Sequence, residues 1–384
     1  MSQILPSNLL LVEPGQLNRN LNRLKNNDTS LTPAFTALRQ AADRALTTPL
    51  LSVTQKKHLA PSGDPHDYLS MGPYWWLNPA TPDGLPYIRR DGEKNPETAE
   101  YDSPRLKQLA NAVSILAWAG YFSGEVPYLQ HAARLVRAWF LDEATRMNPH
   151  LDYGQFIPGV CEGRGIGIID TATVMHDLLD SIQVLLSTGS LTPEEGSALR
   201  AWMGAYRDWN INSANGKDEA VQHNNHGTWY DEQLTALALF TGQAELAARV
   251  CGEARERRIN SQIQPDGSQP HELARTRSFS YSLMNLEGFL NLAVMAKRIG
   301  VDLLNYESGD GRGIRRALEW LRPYAAQELP WTGLQITPVD PNEIMSLYRQ
   351  AGVAFNEPSF EQVLDAWPQE SRTHLAQLLW SPET

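Results

Sequence analysis

From about residue 105 onward, apolar residues recur at three- and four-residue steps. Leu106, Leu109, Ala110, Val113, Leu116 and Ala117 trace one face of a helix. The stretch 127–141 opens on a proline and repeats Leu129, Ala132, Ala133, Val136 and Phe140 at the same spacing. Over 170–188, Val174, Leu178, Ile182 and Leu185 follow Asp170, which the pattern places as an N-cap. Over 193–209, Thr192 is placed as the cap and Pro193 at the first helical position. Further helices are predicted over 226–242, 244–260, 280–299, 312–327, 341–352, 358–367 and 371–380. Gly120, Gly124, Gly189, Gly242 and Gly300 fall where such helices should stop.

About ten helices joined by short polar turns, with no convincing run of alternating strand residues, make an all-α chain. Antiparallel helix pairs set around a ring bury every apolar face without a sheet. The expected architecture is therefore an α/α toroid, an incomplete helical barrel with long loops over one end, forming a single domain over 1–384. An open solenoid would call for a fixed internal repeat, and the sequence has none.

The region 50–104 breaks the helical pattern. It is rich in Pro, Gly, Tyr and Trp, and its aromatic run Tyr74-Trp75-Trp76 argues for an ordered loop rather than a disordered one. It is expected to lie across the mouth of the toroid. The glycine-rich, polar-aromatic segment 148–168, which carries Gln155 and Arg164, is expected at the same end.

Composition narrows the partners. A net charge of −11 argues against nucleic acid, whose binding depends on neutralising phosphates. A local group of Arg, Lys and His can still receive a polyanion. No run of eighteen apolar residues occurs, so no membrane partner is expected. The opening MSQILPSNLLLVEPGQ lacks a basic segment followed by a long apolar one. That fits a cytoplasmic protein, or a periplasmic or secreted one whose leader has been removed. Cys161 and Cys251 read as isolated thiols, and neither their spacing nor any other motif implies a metal or cofactor.

Three constellations could carry chemistry. The run Gln222-His223-Asn224-Asn225-His226 stands at the head of an apolar helix, where a carboxylate would meet amide donors, an imidazole and the positive end of the helix field. The run His271-Glu272-Leu273-Ala274-Arg275-Thr276-Arg277-Ser278-Phe279-Ser280-Tyr281 puts two arginines on a loop that feeds a helix, and lacks the second histidine of a zinc motif. The aromatic loop adds His66, Tyr68, Tyr74, Trp75, Trp76, Arg89, Arg90 and Lys94. Aromatic faces stack on sugar rings, while arginine forks pair with carboxylates. Taken singly, each has a plainer reading as helix cap, surface charge or loop anchor.

Together, Asp64-Pro-His-Asp-Tyr-Leu-Ser-Met-Gly-Pro-Tyr-Trp-Trp, Lys94-Asn-Pro-Glu, Asn224-Asn225-His226 and the arginine-rich segment ending at Tyr281 resemble the alginate lyase superfamily, which includes polysaccharide lyase families 5 and 38. The resemblance covers roughly residues 50–300. It implies an α/α toroid that cleaves β-1,4-linked uronate polymers, alginate (polymannuronate) or glucuronan, by β-elimination without an obligatory metal. It also implies catalytic roles for Asn225, His226, Arg275 and Tyr281. Asn225 would hold the substrate carboxylate, His226 would assist or act as base, and Tyr281 would transfer the proton. The arginine could be Arg275 or Arg277; the six-residue step to Tyr281 leans to Arg275. Substrate contacts are expected from His66, Tyr68, Tyr74, Trp75, Trp76, Arg89, Gln155, Arg164, Asn224 and Arg277.

The reaction accounts for these residue types. The C5 proton of a uronate is scarcely acidic while its carboxylate keeps full charge. Donors that stabilise the enolate-like dianion lower the barrier, each by ~3–4 kcal/mol. A phenol with a pKa near ~10 is a poor base at neutrality, so a nearby arginine is expected to favour its ionised form. Two other classes compete. A glycoside hydrolase would need a pair of carboxyl groups, from Asp67, Asp152, Glu162 or Asp170. A non-catalytic binder of acidic glycans would need only the aromatic loop.

Overall fold

Helix begins well before residue 105. A computed structural model describes residues 8–381, so part of the opening segment lies outside it. Two helices come first, α1 (Pro14–Lys25) and α2 (Thr32–Ala45). Their signal is weak in sequence because α1 buries only Leu17 and Leu21 among its apolar residues, and neither helix has a capping side chain.

The region 50–104 is ordered and mostly irregular, with three short strands: β1 (Leu69–Met71), β2 (Trp75–Trp76) and β3 (Ile88–Arg89). Strand β2 pairs antiparallel with β3. Next come α3 (Asp102–Ser123), α4 (Val126–Phe140) and β4 (Tyr153–Phe156), which pairs in parallel with β1. That pairing fastens the two loop segments to each other at one end of the molecule.

The remaining helices are α5 (Ile169–Ser187), α6 (Pro193–Asn212), α7 (Ala214–Ala220), α8 (Asn225–Phe240) and α9 (Ala244–Ala254). A π-turn at Arg255–Ile259 leads into the short α10 (Asn260–Gln262). Then follow α11 (Pro270–Leu273), α12 (Ser278–Arg298), α13 (Ile314–Ala325), α14 (Pro341–Ala354), α15 (Pro368–Thr373) and α16 (Ala376–Leu379).

Packing makes the ring. Helix α3 lies against α2 and α5, α5 against α8, α8 against α12, and α12 against α14. The gap from α14 back to α2 is spanned by short α15 and α16 rather than by a full inner helix. Outside this circuit, α4 covers α3, α6 and α9 cover α8, and α13 covers α12. Inner helices α3, α8 and α12 bury residues all round, whereas α13 buries only the stripe Ile314, Ala317, Leu318, Leu321 and Ala325. This is the α/α toroid.

Several local expectations need correcting. Asp170 is not the cap of α5, because a 3-10 turn at Gly165–Ile168 runs straight into that helix. Its carboxylate instead accepts from Ser70, Tyr68 and Gln155 at 2.6, 3.1 and 3.1 Å. Gly120 does not end α3 but lies within it, where a Cβ would sit 2.5 Å from Leu129 of α4. Gly124 ends the helix, at a φ of 76°. The helix predicted over 371–380 splits into α15 and α16 because His374 is extended. The π-turn after α9 turns Arg258 inward, where it pairs with Asp231 at 2.8 Å and donates to the carbonyls of Ala220 and Gln222. Those bonds brace the chain just ahead of α8.

Candidate active site

Beneath the two fastened loop segments, the end of the toroid opens into a cavity of about 630 Å³. The first of α8's residues form one wall: Asn224, Asn225, His226 and Trp229 all line it. Asn224 caps the helix, accepting the His226 backbone N–H at 3.3 Å. Gly227 is required here, since a Cβ would meet the Gln222 carbonyl and the Arg258 guanidinium at 2.1 and 2.3 Å.

Two buried carboxylates stand behind this wall. Glu272 accepts from both the backbone N–H and the side-chain Nδ2 of Asn225, each at 2.7 Å. Glu219 accepts from Nδ1 of His226 at 2.8 Å, which leaves Nε2 as the ring nitrogen with no protein partner among the described residues. Burial raises both carboxyls above their ordinary range, and the bonds from Asn225 and His226 oppose that shift.

The opposite wall centres on Tyr281, in the first turn of α12. Its hydroxyl lies 2.7 Å from that of Tyr74 and accepts from Nη2 of Arg275 at 2.9 Å. The Arg275 guanidinium carbon sits 3.9 Å from the Tyr281 ring centroid. Asp91 holds Arg275 from the far side at 2.8 and 3.2 Å, and also accepts from Arg89 and Thr276 at 2.6 and 2.9 Å. Burial, then Tyr74, push the Tyr281 phenol well above its ordinary pKa; Arg275 acts the other way without prevailing. That direction favours the protonated phenol, against the expectation that a nearby arginine favours its ionised form.

Cations ring the rest of the cavity in two states. Arg89 is tied to Asp91, Arg275 to Asp91 and Tyr281, and Arg164 to the side-chain and main-chain oxygens of Gln155 at 2.8 and 3.1 Å. Arg164 also stacks on Trp75 at 5.8 Å. Lys94, Lys107 and Arg277 line the same space, and no carboxylate lies within ion-pair distance of them among the described residues. On the floor, burial pushes the carboxyls of Glu287 and Glu343 up to about 7.

Three expected contact residues lie elsewhere. Tyr68 is fully buried, hydrogen-bonded to Asp170 behind the cavity lining. His66 is held by the Arg146 carbonyl at 2.6 Å, away from the cavity. Trp76 faces the outer side of the β2–β3 pair, bonded to the Glu93 carbonyl and covered by Arg90. Consecutive strand residues point to opposite sides, so Trp75 and Trp76 could not both face in. Of the carboxylates considered for hydrolysis, only Asp170 lines the cavity. Among the described residues, no three His, Cys, Asp or Glu side chains cluster so as to hold a metal ion.

Sequence reasoning missed Asp91, Lys107, Glu219, Glu287 and Glu343, and gave Glu272 no role. Glu219 carried a usable signal: it lies seven positions ahead of His226, across one short turn. Lys107, Glu287 and Glu343 carried none, because each sits on a helix face that periodicity does not assign to a cavity.

The alginate lyase family model matches residues 52–331. The crystal structure of an alginate lyase from Bacteroides ovatus is 37% identical, with a TM-score of 0.93 over 98% of this chain and 100% of that one. Alginate lyase A1-III from Sphingomonas species A1 is 15% identical, with a TM-score of 0.52 over 93% and 99%. A histidine-to-alanine variant of alginate lyase A1-III complexed with a tetrasaccharide is 16% identical, with a TM-score of 0.54 over 93% and 96%. These two A1-III structures share the fold alone. No curated protein matches the chain. By the reach of the family model and the 37% identity along nearly its full length, the chain belongs to the alginate lyase family of polysaccharide lyases.

Proposed function

We propose that the protein cleaves a uronate polymer of the alginate type by β-elimination, at the cavity between Asn225–His226 and Arg275–Tyr281. The observation that carries this reading is the convergence of an amide, an imidazole with one free nitrogen, a guanidinium and a phenol on one cation-lined space. In the proposed reaction, Asn225 and Arg277 receive the sugar carboxylate and stabilise the charge that develops as C5 loses its proton. In this reading Tyr281 passes a proton to the departing O4. Arg275 and Tyr74 face its oxygen and would support a phenolate once the proton is gone. Trp75 and Tyr74 offer aromatic surface to the rings, while Lys94 and Lys107 offer charge to neighbouring carboxylates.

One observation favours a particular division of labour. Burial and Tyr74 raise the Tyr281 phenol and favour its protonated form, whereas His226 has Nδ1 fixed by Glu219 and Nε2 unpartnered. That suits His226 as base and Tyr281 as acid. Two separate groups can work on opposite faces of a ring, as guluronate requires. In mannuronate and glucuronate, the C5 hydrogen and O4 share a face, and one phenol can serve both steps. A panel of polymannuronate, polyguluronate, glucuronan and hyaluronan, read by the ultraviolet absorbance of the new C4–C5 double bond, tests both points. Absorbance on polyguluronate supports the two-group division; absorbance confined to polymannuronate or glucuronan returns both steps to Tyr281. Silence on all four removes the proposed function.

A further inference from the structure

Asn225 presents a carboxamide whose two ends have nearly the same shape, yet only one of them carries donors. Either end could be turned to a ligand unless something in the protein chooses. Glu272 chooses. It is 1% exposed, lies forty-seven positions downstream in α11, and takes the Asn225 backbone N–H on one oxygen and Nδ2 on the other, both at 2.7 Å. Both carboxyl oxygens accept, so the carboxamide offers Glu272 its NH2 end. The backbone bond is equally informative. It fixes the carboxylate against the head of α8, where the helix field favours negative charge, so Glu272 cannot swing away and release the side chain.

We propose that Glu272 is a positioning residue for the elimination: by taking one Nδ2 proton of Asn225, it holds the carboxamide so that the second Nδ2 proton is presented to the substrate carboxylate. This rests on the lyase reading of the cavity. It differs from a purely structural staple between α8 and α11 in one respect, which a conservative substitution exposes. Glutamine at 272 keeps the shape and can keep every hydrogen bond. Its Oε1 accepts the backbone N–H, and its Nε2 donates to Asn225 after that carboxamide turns over. The staple survives. The donor does not stay in place.

The experiment compares wild type, Glu272→Gln and the double variant Asn225→Asp/Glu272→Gln in the full chain. For Glu272→Gln the expected result is a Tm within about 2 °C of wild type. Its kcat should fall about ten- to a hundredfold, with KM within about threefold. The double variant restores complementary partners, since glutamine donates to the new aspartate, but offers the substrate no amide donor. It should be folded and no more active than the single variant. If Glu272→Gln alone does not fold, the double variant still decides, because retained kcat in it overturns the proposal.

Orientation is also read without turnover, from the side-chain amide resonances of Asn225 in 1H–15N spectra. Wild type should show one proton moved downfield by its short bond to a carboxylate, and Glu272→Gln should lose that shift. Unchanged amide resonances, or a folded Glu272→Gln with kcat within about twofold of wild type, overturn the inference. If wild type eliminates none of the four polymers, the lyase reading falls, while the amide spectra still judge the orientation.

Discussion

Asp91 grips Arg275 with both carboxylate oxygens, at 2.8 and 3.2 Å, and so fixes the cation whose Nη2 lies 2.9 Å from the Tyr281 phenol. The two residues come from segments 184 positions apart, so this pair also ties the loop over the mouth to the approach to α12. Burial would raise the Asp91 carboxyl, but Arg275 and the backbone and side-chain donors of Thr276 outweigh it and hold the group well below the usual carboxylate range.

Asp91→Asn leaves the shape and removes one acceptor and the charge. The expected result is a fall in kcat of about tenfold to a hundredfold, as expected for displacing a reacting group by about 1 Å. Initial rates on the preferred polymer check this. A rate within twofold of wild type would show that Arg275 keeps its place without Asp91.

Tyr281→Phe removes the phenol oxygen and leaves the ring under Arg275. Proton transfer by a positioned group contributes about a hundred- to ten-thousandfold, and kcat should fall by that factor. Equilibrium binding of an oligouronate, followed by calorimetry, should change by no more than about threefold, because Arg277, Lys94 and Lys107 remain.

The division between tied and untied cations predicts two kinds of kinetic effect. Lys94→Ala and Lys107→Ala should raise KM for polymer about three- to tenfold and change kcat little, having removed binding shared by ground and transition states. Added salt should raise the wild-type KM and raise it less in these variants. Arg275→Ala should act mainly on kcat. Equal effects from all three would erase the distinction.

The Glu343 carboxyl is pushed up to about 7 by burial and by Asp340, with Arg277 opposing. Below that value it is neutral, and above it a negative charge lines a cavity meant for a polyanion. KM for polymer should therefore rise as pH climbs through about 7. Glu343→Gln, neutral at every pH, should flatten the rise, unless Glu287, also pushed up to about 7, carries it. A KM–pH curve identical in wild type and in the Glu287→Gln/Glu343→Gln double variant removes both carboxyls from substrate electrostatics.

Inside the ring, His176 of α5 lies 3.1 Å from the fully buried Glu232 of α8 and stacks on Trp229 of the cavity wall. Burial alone would lower the His176 pKa; the carboxylates of Glu232 and Asp177 outweigh it and push it up to about 10. The folded value is above the ordinary 6.5, so the stability this pair contributes is fully present below about 6.5 and is lost as pH rises through about 10. His176→Ala strands a buried carboxylate and should cost ~3–5 kcal/mol in urea unfolding at pH 7. The gap from wild type should narrow toward pH 10.

Periodicity identified most of the toroid because the inner helices must bury nearly every residue and the outer ones a stripe, and both leave three- and four-residue steps. It could not show α7 or the break at His374, where short turns carry too few apolar positions to repeat. The candidate site was readable where chemistry-bearing residues cluster along the chain, at Asn224-Asn225-His226 and at Arg275-Thr276-Arg277. It was unreadable where the ring supplies a partner from a distance. Asp91 reads as a turn residue until the fold brings Arg275 to it, and Glu343 as a helix surface charge until α14 closes on α12. Trp76 shows the converse error: an aromatic pair looks like one platform in sequence, yet strand alternation sends one ring outward.

The most direct measurement of the central claim is the mass of the product ends after digestion of polymannuronate, polyguluronate or glucuronan in 18O-labelled water. Glu287 and Glu343 are two carboxyl groups in one cavity, and hydrolysis needs two carboxyl groups, so the products must tell elimination from hydrolysis. Elimination breaks the C4–O4 bond without consuming water. Every new non-reducing end should be lighter by one water than a hydrolytic end, and no cleavage-derived oxygen should come from solvent. A saturated non-reducing end, heavier by one water, at each bond cut would contradict the account.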